Sequence, residues 1–309
     1  MTIALLIPTL RRPEGLTRAL RSVFAQTGAP LAEIVVIDNS PEASSRDVVE
    51  ALKTDAPIPI VFVHAPQPGV ATARNAGLRA TQAPLIAFLD DDEEAPPGWL
   101  AALHDAHIRY AADVTFGPVR GVTPEGTPAW ARPYLDRFFS REGPAASGLI
   151  DEVYGCGDSM MTRATVLAGD APFDTGLDQT GGEDDRLFSR AKAAGARFAW
   201  SAEAWVWEYA PPHRARMSYA LKRAFGYGQS PSQICAHAEP PDWPGVAKWM
   251  AVGAAQAGGY GAAAVGLWLL RRPARAEMAD RAARGLGKLF WARAPRFYGQ
   301  AEVARTNAG

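Results

Sequence analysis

Short apolar runs alternate with amphipathic stretches through the first third of the chain. Residues 2–7 (Thr-Ile-Ala-Leu-Leu-Ile) form the first run, and Pro8 is expected to end it, as a turn bounds a buried strand. Over residues 13–26 the apolar positions Leu16, Ala19, Leu20, Val23 and Phe24 recur at helical spacing, with Pro13 in the first turn and Gly28 past the end. The run 34–37 then meets Asp38, Asn39 and Ser40, and helix-like residues 45–53 follow. A run over 58–63, a helix-like segment over 70–79 and the run 85–89, which ends in Asp90, complete the series.

This alternation predicts an α/β fold: a Rossmann-like, mostly parallel sheet whose crossover helices cover both faces, so that its strands read as unbroken apolar runs. Ligands of such sheets bind at the carboxyl ends of the strands. Thr9, Asp38 and the acidic trio Asp90, Asp91, Asp92 all stand at those ends. Beyond residue 115 the pattern loosens into Gly- and Pro-rich stretches (117–133 and 143–148) that suit long loops around an acceptor cleft. Residues 183–194 return to helical spacing, 196–207 read as one or two short strands, and the tail from Tyr219 onward reads as helical.

Composition excludes more than it selects. With 48% hydrophobic and 21% charged residues the chain is an ordinary globular one, and its formal charge of -1 argues against a nucleic-acid partner, which needs excess Lys and Arg. Cys156 and Cys235 stand far apart without metal-ligand spacing, which suits a reduced, cytoplasmic protein. No basic cluster precedes the first apolar run, so a signal peptide is not expected. Residues 249–270 carry no charge and are long enough to span a bilayer, yet they are rich in Ala and Gly. A buried or membrane-surface helical hairpin is the favoured expectation there. The stretch 281–293 mixes Arg and Lys with Leu286, Leu289, Phe290 and Trp291, as an interfacial helix or a domain-packing helix would.

The chemistry concentrates in two acidic clusters. Asp90-Asp91-Asp92-Glu93-Glu94 follows a buried strand and precedes Pro96-Pro97, which places it in a turn. Crowded carboxylates repel, and a hard divalent cation, Mg²⁺ or Mn²⁺, relieves the repulsion while adding substrate phosphates to its shell. A solvated turn capping the next helix is the plainer alternative, and the position at the sheet's carboxyl edge favours the cation. A phosphatase of the haloacid dehalogenase type also puts Asp-x-Asp after a strand, but it calls for Thr or Val where Glu94 stands. The second cluster, Gly181-Gly182-Glu183-Asp184-Asp185, opens a helix. Its carboxylates can serve as a positioned base or as an N-cap.

Taken in order, several segments resemble motifs of the family 2 inverting glycosyltransferases of the GT-A fold. These are Ile7-Pro8-Thr9 with Arg11-Arg12-Pro13, Val36-Ile37-Asp38-Asn39-Ser40, Pro68-Gly69 with Ala73-Arg74-Asn75-Ala76-Gly77, Phe88-Leu89-Asp90-Asp91-Asp92 with Pro97-Gly98-Trp99-Leu100, and Gly181-Gly182-Glu183-Asp184. The resemblance covers roughly residues 3–228. It implies a GT-A catalytic domain over 1–215, with a nucleotide-sugar-binding half (1–115) and an acceptor-binding half (116–215), followed by a helical C-terminal region over 216–309.

The resemblance also implies roles. Pro8, Thr9, Arg11, Asp38, Asn39, Arg74, Asn75, Asp90 and Asp91 would bind the nucleotide sugar, and Asp92 with Asp90 would hold the Mn²⁺ or Mg²⁺. Asp184, with Glu183 beside it, would act as the catalytic base. Relatives often carry a His near position 208, where this chain has Glu208, which leaves the third metal ligand open: Glu208 would contact metal or acceptor, and His213, the nearest histidine, is a candidate ligand that more often reads as a surface residue. Arg214 and Arg223 could face the diphosphate. Enzymes of exopolysaccharide assembly of the succinoglycan type are the most similar in pattern. They imply transfer of a hexose from a uridine diphosphate sugar to a lipid-linked saccharide at the cytoplasmic face of the inner membrane.

Overall fold

The structure, a computed structural model, describes residues 1–292, so Arg293 of the expected interfacial stretch and the last part of the expected C-terminal region lie outside the described residues. The first half alternates as expected: β1 (Ile3–Thr9), α1 (Pro13–Phe24), β2 (Leu31–Asp38), α2 (Arg46–Lys53), β3 (Ile60–His64), α3 (Val70–Arg79) and β4 (Leu85–Phe88). Next come β5 (Glu93–Glu94), α4 (Trp99–Arg109), β6 (Val114–Phe116), β7 (Val119–Val122), α5 (Arg132–Phe138) and β8 (Gly148–Ile150). The chain continues through β9 (Ser159–Thr162), α6 (Arg163–Val166), α7 (Glu183–Ala193), β10 (Phe198–Trp200) and β11 (Val206–Tyr209), and then α8 (Met217–Ala236), α9 (Trp243–Leu269) and α10 (Arg275–Leu289).

An eight-stranded sheet runs in the order β3-β2-β1-β4-β9-β6-β10-β8. The pairs around β1, β2, β3 and β4 are parallel, and β9 enters antiparallel between β4 and β6. Alternate residues of β1 go to opposite sides: Ile3, Leu5 and Ile7 pack with α1 and α4, while Ala4 and Leu6 pack in a second core with α3 and α7. An unbroken apolar run is what such a strand requires, because neither face meets water. Each fully buried Leu or Ile contributes about 1.5–3 kcal/mol to that packing.

Pro8 does not end β1 as expected. It pairs with Ile37 in register, and Thr9 pairs with Asp38. Leu6 offers its carbonyl to the Leu89 amide on the β4 side, so Pro8, two residues on, faces that same side just where β4 has finished. Its missing N–H costs no ladder bond there.

The chain divides into two compact units, residues 1–120 with 140–208 and, among the described residues, 121–139 with 209–292. The first holds the large sheet. The second is helical, and it takes in α5, which the sequence placed with the acceptor-binding half. Its core joins Ala131, Tyr134 and Leu135 to Ala220 and Ala276, and the buried Tyr134 hydroxyl donates to Asp280 at 2.8 Å. Residues 249–270 are not a hairpin by themselves. They lie almost wholly in the long α9, which forms one with α10 through a turn at 270–274.

Candidate active site

The end of β4 turns sharply because Glu93 closes it: its amide donates to the Asp90 carbonyl at 3.0 Å, while its buried side chain accepts from the Asp90 amide at 2.8 Å. Glu93 and Glu94 are thereby not turn residues but a short strand, paired with Glu208 and Trp207 of β11. Asp91 is buried and accepts from Thr9 Oγ1 and Arg12 Nη1, both at 2.8 Å. The same Arg12 nitrogen donates to Asp92 Oδ2 at 2.7 Å. Arg12 was not among the expected site residues, although it stands in the Arg11-Arg12-Pro13 motif. Arg11 instead pairs with Glu42, and its left-handed backbone (φ 55°) is the kink that turns the two neighbouring side chains to different partners.

Three of the expected nucleotide-binding residues organise the surrounding loops. Asp38 is fully buried, and both its oxygens accept from the amide and hydroxyl of Ser40 and of Ser45, which occupies the whole acceptor capacity of a carboxylate. Asn39 donates to the carbonyls of Ala65 and Gln67 and accepts from the Gly69 amide at 2.6 Å. Asn75 exchanges bonds with the amide and carbonyl of Phe173. These side chains hold the ends of β2 and α3 in shape around the sheet's carboxyl edge.

Arg74 connects the two acidic clusters. Its buried guanidinium donates to Glu183 at 2.6 Å and lies 3.8 Å from Asp90. Glu183 opens α7 after Gly181 and Gly182, whose φ values of 82° and 94° only glycine adopts without strain. Here the glycines serve backbone conformation. Asp184 accepts from the Cys156 amide at 3.2 Å and stays part-exposed, whereas Glu183 is buried.

The Cys156 bond exposes a wall the sequence reading missed: Gly155-Cys156-Gly157-Asp158. A side chain at Gly157 would meet Asp90 Oδ2 at 2.6 Å and Glu93 Oε1 at 2.9 Å, so only glycine lets this segment lie against the acidic turn. Asp158 is fully buried, accepts from Trp99 Nε1 at 2.7 Å and faces Arg141 at 3.3 Å. Burial pushes its carboxyl up to about 7 despite the Arg141 charge. A Gly-x-Gly-Asp spacing in a loop-like stretch was the available signal, but it has no periodicity to place it.

Charge in the site is unbalanced. Asp91 and Asp92 face the guanidinium of Arg12 and Asp90 faces that of Arg74, while Glu93 lies among Asp90, Asp158 and Glu208. Burial first, and then repulsion from neighbouring carboxylates against the pull of the arginines, raises Asp90 to about 6 and also raises Asp91, while burial and the repulsion of Asp90, Asp158 and Glu208 raise Glu93. About 38% of the Asp90 side chain remains exposed. A hard divalent cation suits this excess of carboxylate oxygen. Among the described residues, however, no three His, Cys, Asp or Glu side chains converge on one metal position. The fit is therefore to a cation that takes one or two carboxylates and completes its shell with water and phosphate. Glu208 stands opposite Glu93 and adds to its repulsion, whereas His213, Arg214 and Arg223 belong to the helical unit.

Comparison with known proteins shows the family and the fold. The family described as glycosyl transferase family 2 matches residues 4–168. Succinoglycan biosynthesis protein ExoM of Rhizobium meliloti (strain 1021) is 36% identical over 230 residues, which take in 74% of this chain and 73% of ExoM. Validoxylamine A glucosyltransferase of Streptomyces hygroscopicus subsp. limoneus is 37% identical over 124 residues, 40% of this chain and 27% of that protein. Among solved structures, S. aureus TarS 1–349 superposes with a TM-score of 0.53 at 16% identity, covering 95% of this chain and 92% of that one. GalNAc-T7, solved with UDP, GalNAc and Mn²⁺, gives 0.54 at 18% identity over 75% of this chain and 51% of its own. At these identities the two structures speak for the fold, which is GT-A.

Proposed function

The chain belongs to glycosyl transferase family 2, and we propose that it moves a hexose from a uridine diphosphate sugar to a saccharide acceptor, with inversion, in the assembly of a cell-surface polysaccharide. One observation carries this reading: a single buried guanidinium, Arg74, reaches both Glu183 at the start of α7 and Asp90 after β4. The base candidate and the diphosphate-binding candidates therefore share one edge of the sheet.

In the proposed reaction Asp184, part-exposed beside the buried Glu183, accepts the proton of an acceptor hydroxyl. That oxygen forms its bond to the anomeric carbon as the bond to the nucleoside diphosphate breaks, which inverts the configuration. Arg74 holds Glu183 in place and contributes positive charge near Asp90. Asp92 and Asp90 are the residues that would hold a divalent cation, whose contribution is to neutralise charge on the departing diphosphate. Thr9, Asp38, Asn39 and Asn75 shape the donor pocket through the loops they tie.

We place the acceptor on a lipid and the protein at a membrane face, the cytoplasmic face of the inner membrane. Among the described residues no helix is long and apolar enough to cross a membrane. The tip of the α9–α10 hairpin nevertheless presents Trp268 (62% exposed), Leu269 (67%) and Leu270 (71%) directly before Arg271 and Arg272. Apolar side chains beside arginines are the composition of a segment that enters the interface of an anionic bilayer.

The test is a panel of nucleotide hexoses with Mn²⁺ and lipid-linked oligosaccharides, followed by the anomeric coupling of the product sugar in NMR. Acceptor-dependent release of uridine diphosphate with an inverted linkage is the expected result. A retained linkage, or release from no donor in the panel, would overturn the reading.

A further inference from the structure

Arg141 lies in the first unit, at an isolated bridge with Val119, outside every motif of the family resemblance. Its Nε donates to the Gly117 carbonyl at 2.8 Å, Nη1 to the carbonyls of Gly155 at 2.9 Å and Gly157 at 2.8 Å, and Nη2 to that of Asp158 at 2.8 Å. Nη2 also faces Asp158 Oδ2 at 3.3 Å. Four of its five N–H donors thus have a carbonyl acceptor, and three of those carbonyls lie on the single wall 155–158. A planar fork can satisfy so many carbonyls at fixed angles, which an ammonium cannot.

The wall touches both halves of the site. The Cys156 amide donates to Asp184, and Gly157 lies against Asp90 and Glu93. Three backbone carbonyls pointing at one guanidinium oblige the intervening amides to point the other way, and the Cys156 amide is one of these. We infer that Arg141 is a positioning residue, which sets the orientation of Asp184 relative to Asp90 through the backbone of 155–158. Its guanidinium is held by carbonyls rather than by a ligand, so its contribution is to geometry and not to donor affinity.

This inference rests on the assignment of Asp184 as base, and the experiment separates the two. Turnover is measured in the full chain as nucleoside diphosphate release, with whichever uridine diphosphate hexose the wild type uses fastest, for R141A, R141K and D184N. Misplacing a reacting group by about 1 Å costs on the order of 100-fold, so R141A and R141K should both lose about that much in kcat while the KM for donor stays within about threefold. About 13% of the Arg141 side chain is exposed, so the space left in R141A opens to solvent and admits a small cation. Sub-denaturing guanidinium chloride should restore R141A by at least about tenfold and leave D184N inactive. R141K, which keeps the charge and fills the space, serves if R141A does not fold. Wild-type kcat in R141K, a loss confined to KM, or no rescue of a folded R141A would overturn the inference. An active D184N would instead overturn the assignment of the base.

Discussion

Arg74 Nη1 donates to Glu183 Oε1 across 2.6 Å, with both side chains almost wholly buried. Arg74 Nε and Glu183 Oε2 have no hydrogen-bond partner, so the pair is not fully satisfied by its surroundings. Removing one member leaves the other charge buried alone, which costs roughly 3–5 kcal/mol. R74A should therefore lower the urea midpoint sharply. R74M combined with E183Q should recover most of that stability without recovering turnover, because the link to Asp90 is still lost. Equal midpoints for R74A and wild type would contradict this.

Asp92 and Asp91 share one Arg12 nitrogen. Asp92→Ala should weaken uridine diphosphate binding in Mn²⁺ by about tenfold or more, and should abolish the gain that Mn²⁺ gives over EDTA, as removal of one of few protein ligands would. Calorimetry of uridine diphosphate with and without Mn²⁺ checks this, and an undiminished Mn²⁺ effect in D92A would remove Asp92 as a ligand.

Asp158 titrates from an ordinary value of 3.8 when unfolded to about 7 in the native state. Between those values the native protein binds the proton more tightly, so Asp158 makes stability fall as pH rises from about 4 to about 7 and adds no slope above it. Buried His107 works the other way: burial lowers it from 6.5 to about 4, so its contribution rises with pH across that interval. D158N keeps the Trp99 bond and suits the left-handed backbone at φ 47°. The stability of wild type relative to D158N, from urea curves at each pH, should therefore fall from pH 4 to 7. A flat difference would contradict the raised carboxyl.

At the α9–α10 tip, Trp268→Ser with Leu269→Ser and Leu270→Ser should reduce sedimentation with vesicles containing anionic lipid by about tenfold. R271E with R272E should do so only at low salt, and neither variant should change the helix content. Wild-type protein that fails to sediment with such vesicles would refute the membrane reading.

Strands β1 to β4 and helices α1 and α3 were legible because burial on two faces or one writes a period into the sequence, as Leu16, Ala19, Leu20 and Val23 do in α1. The acidic clusters were legible because like charges at a strand end need a reason. Arg12, Arg141 and the wall 155–158 were not. Their importance lies in which atoms a turn or a guanidinium meets, and neither the φ of Arg11 nor the carbonyls facing Arg141 leave a trace in residue type. Pro8 misled for the same reason: whether a missing amide matters depends on which neighbour lies beside it. The placement of α5 with the C-terminal helices likewise follows from tertiary packing around Tyr134 and Asp280.

Asp184→Asn tests the central assignment most directly, since the amide keeps the shape of the side chain, and its oxygen can still accept from Cys156, but it cannot take a proton. Uridine diphosphate should bind with unchanged affinity while transfer to acceptor falls by about 1,000-fold or more. Transfer by D184N at a rate near that of the wild type would contradict it.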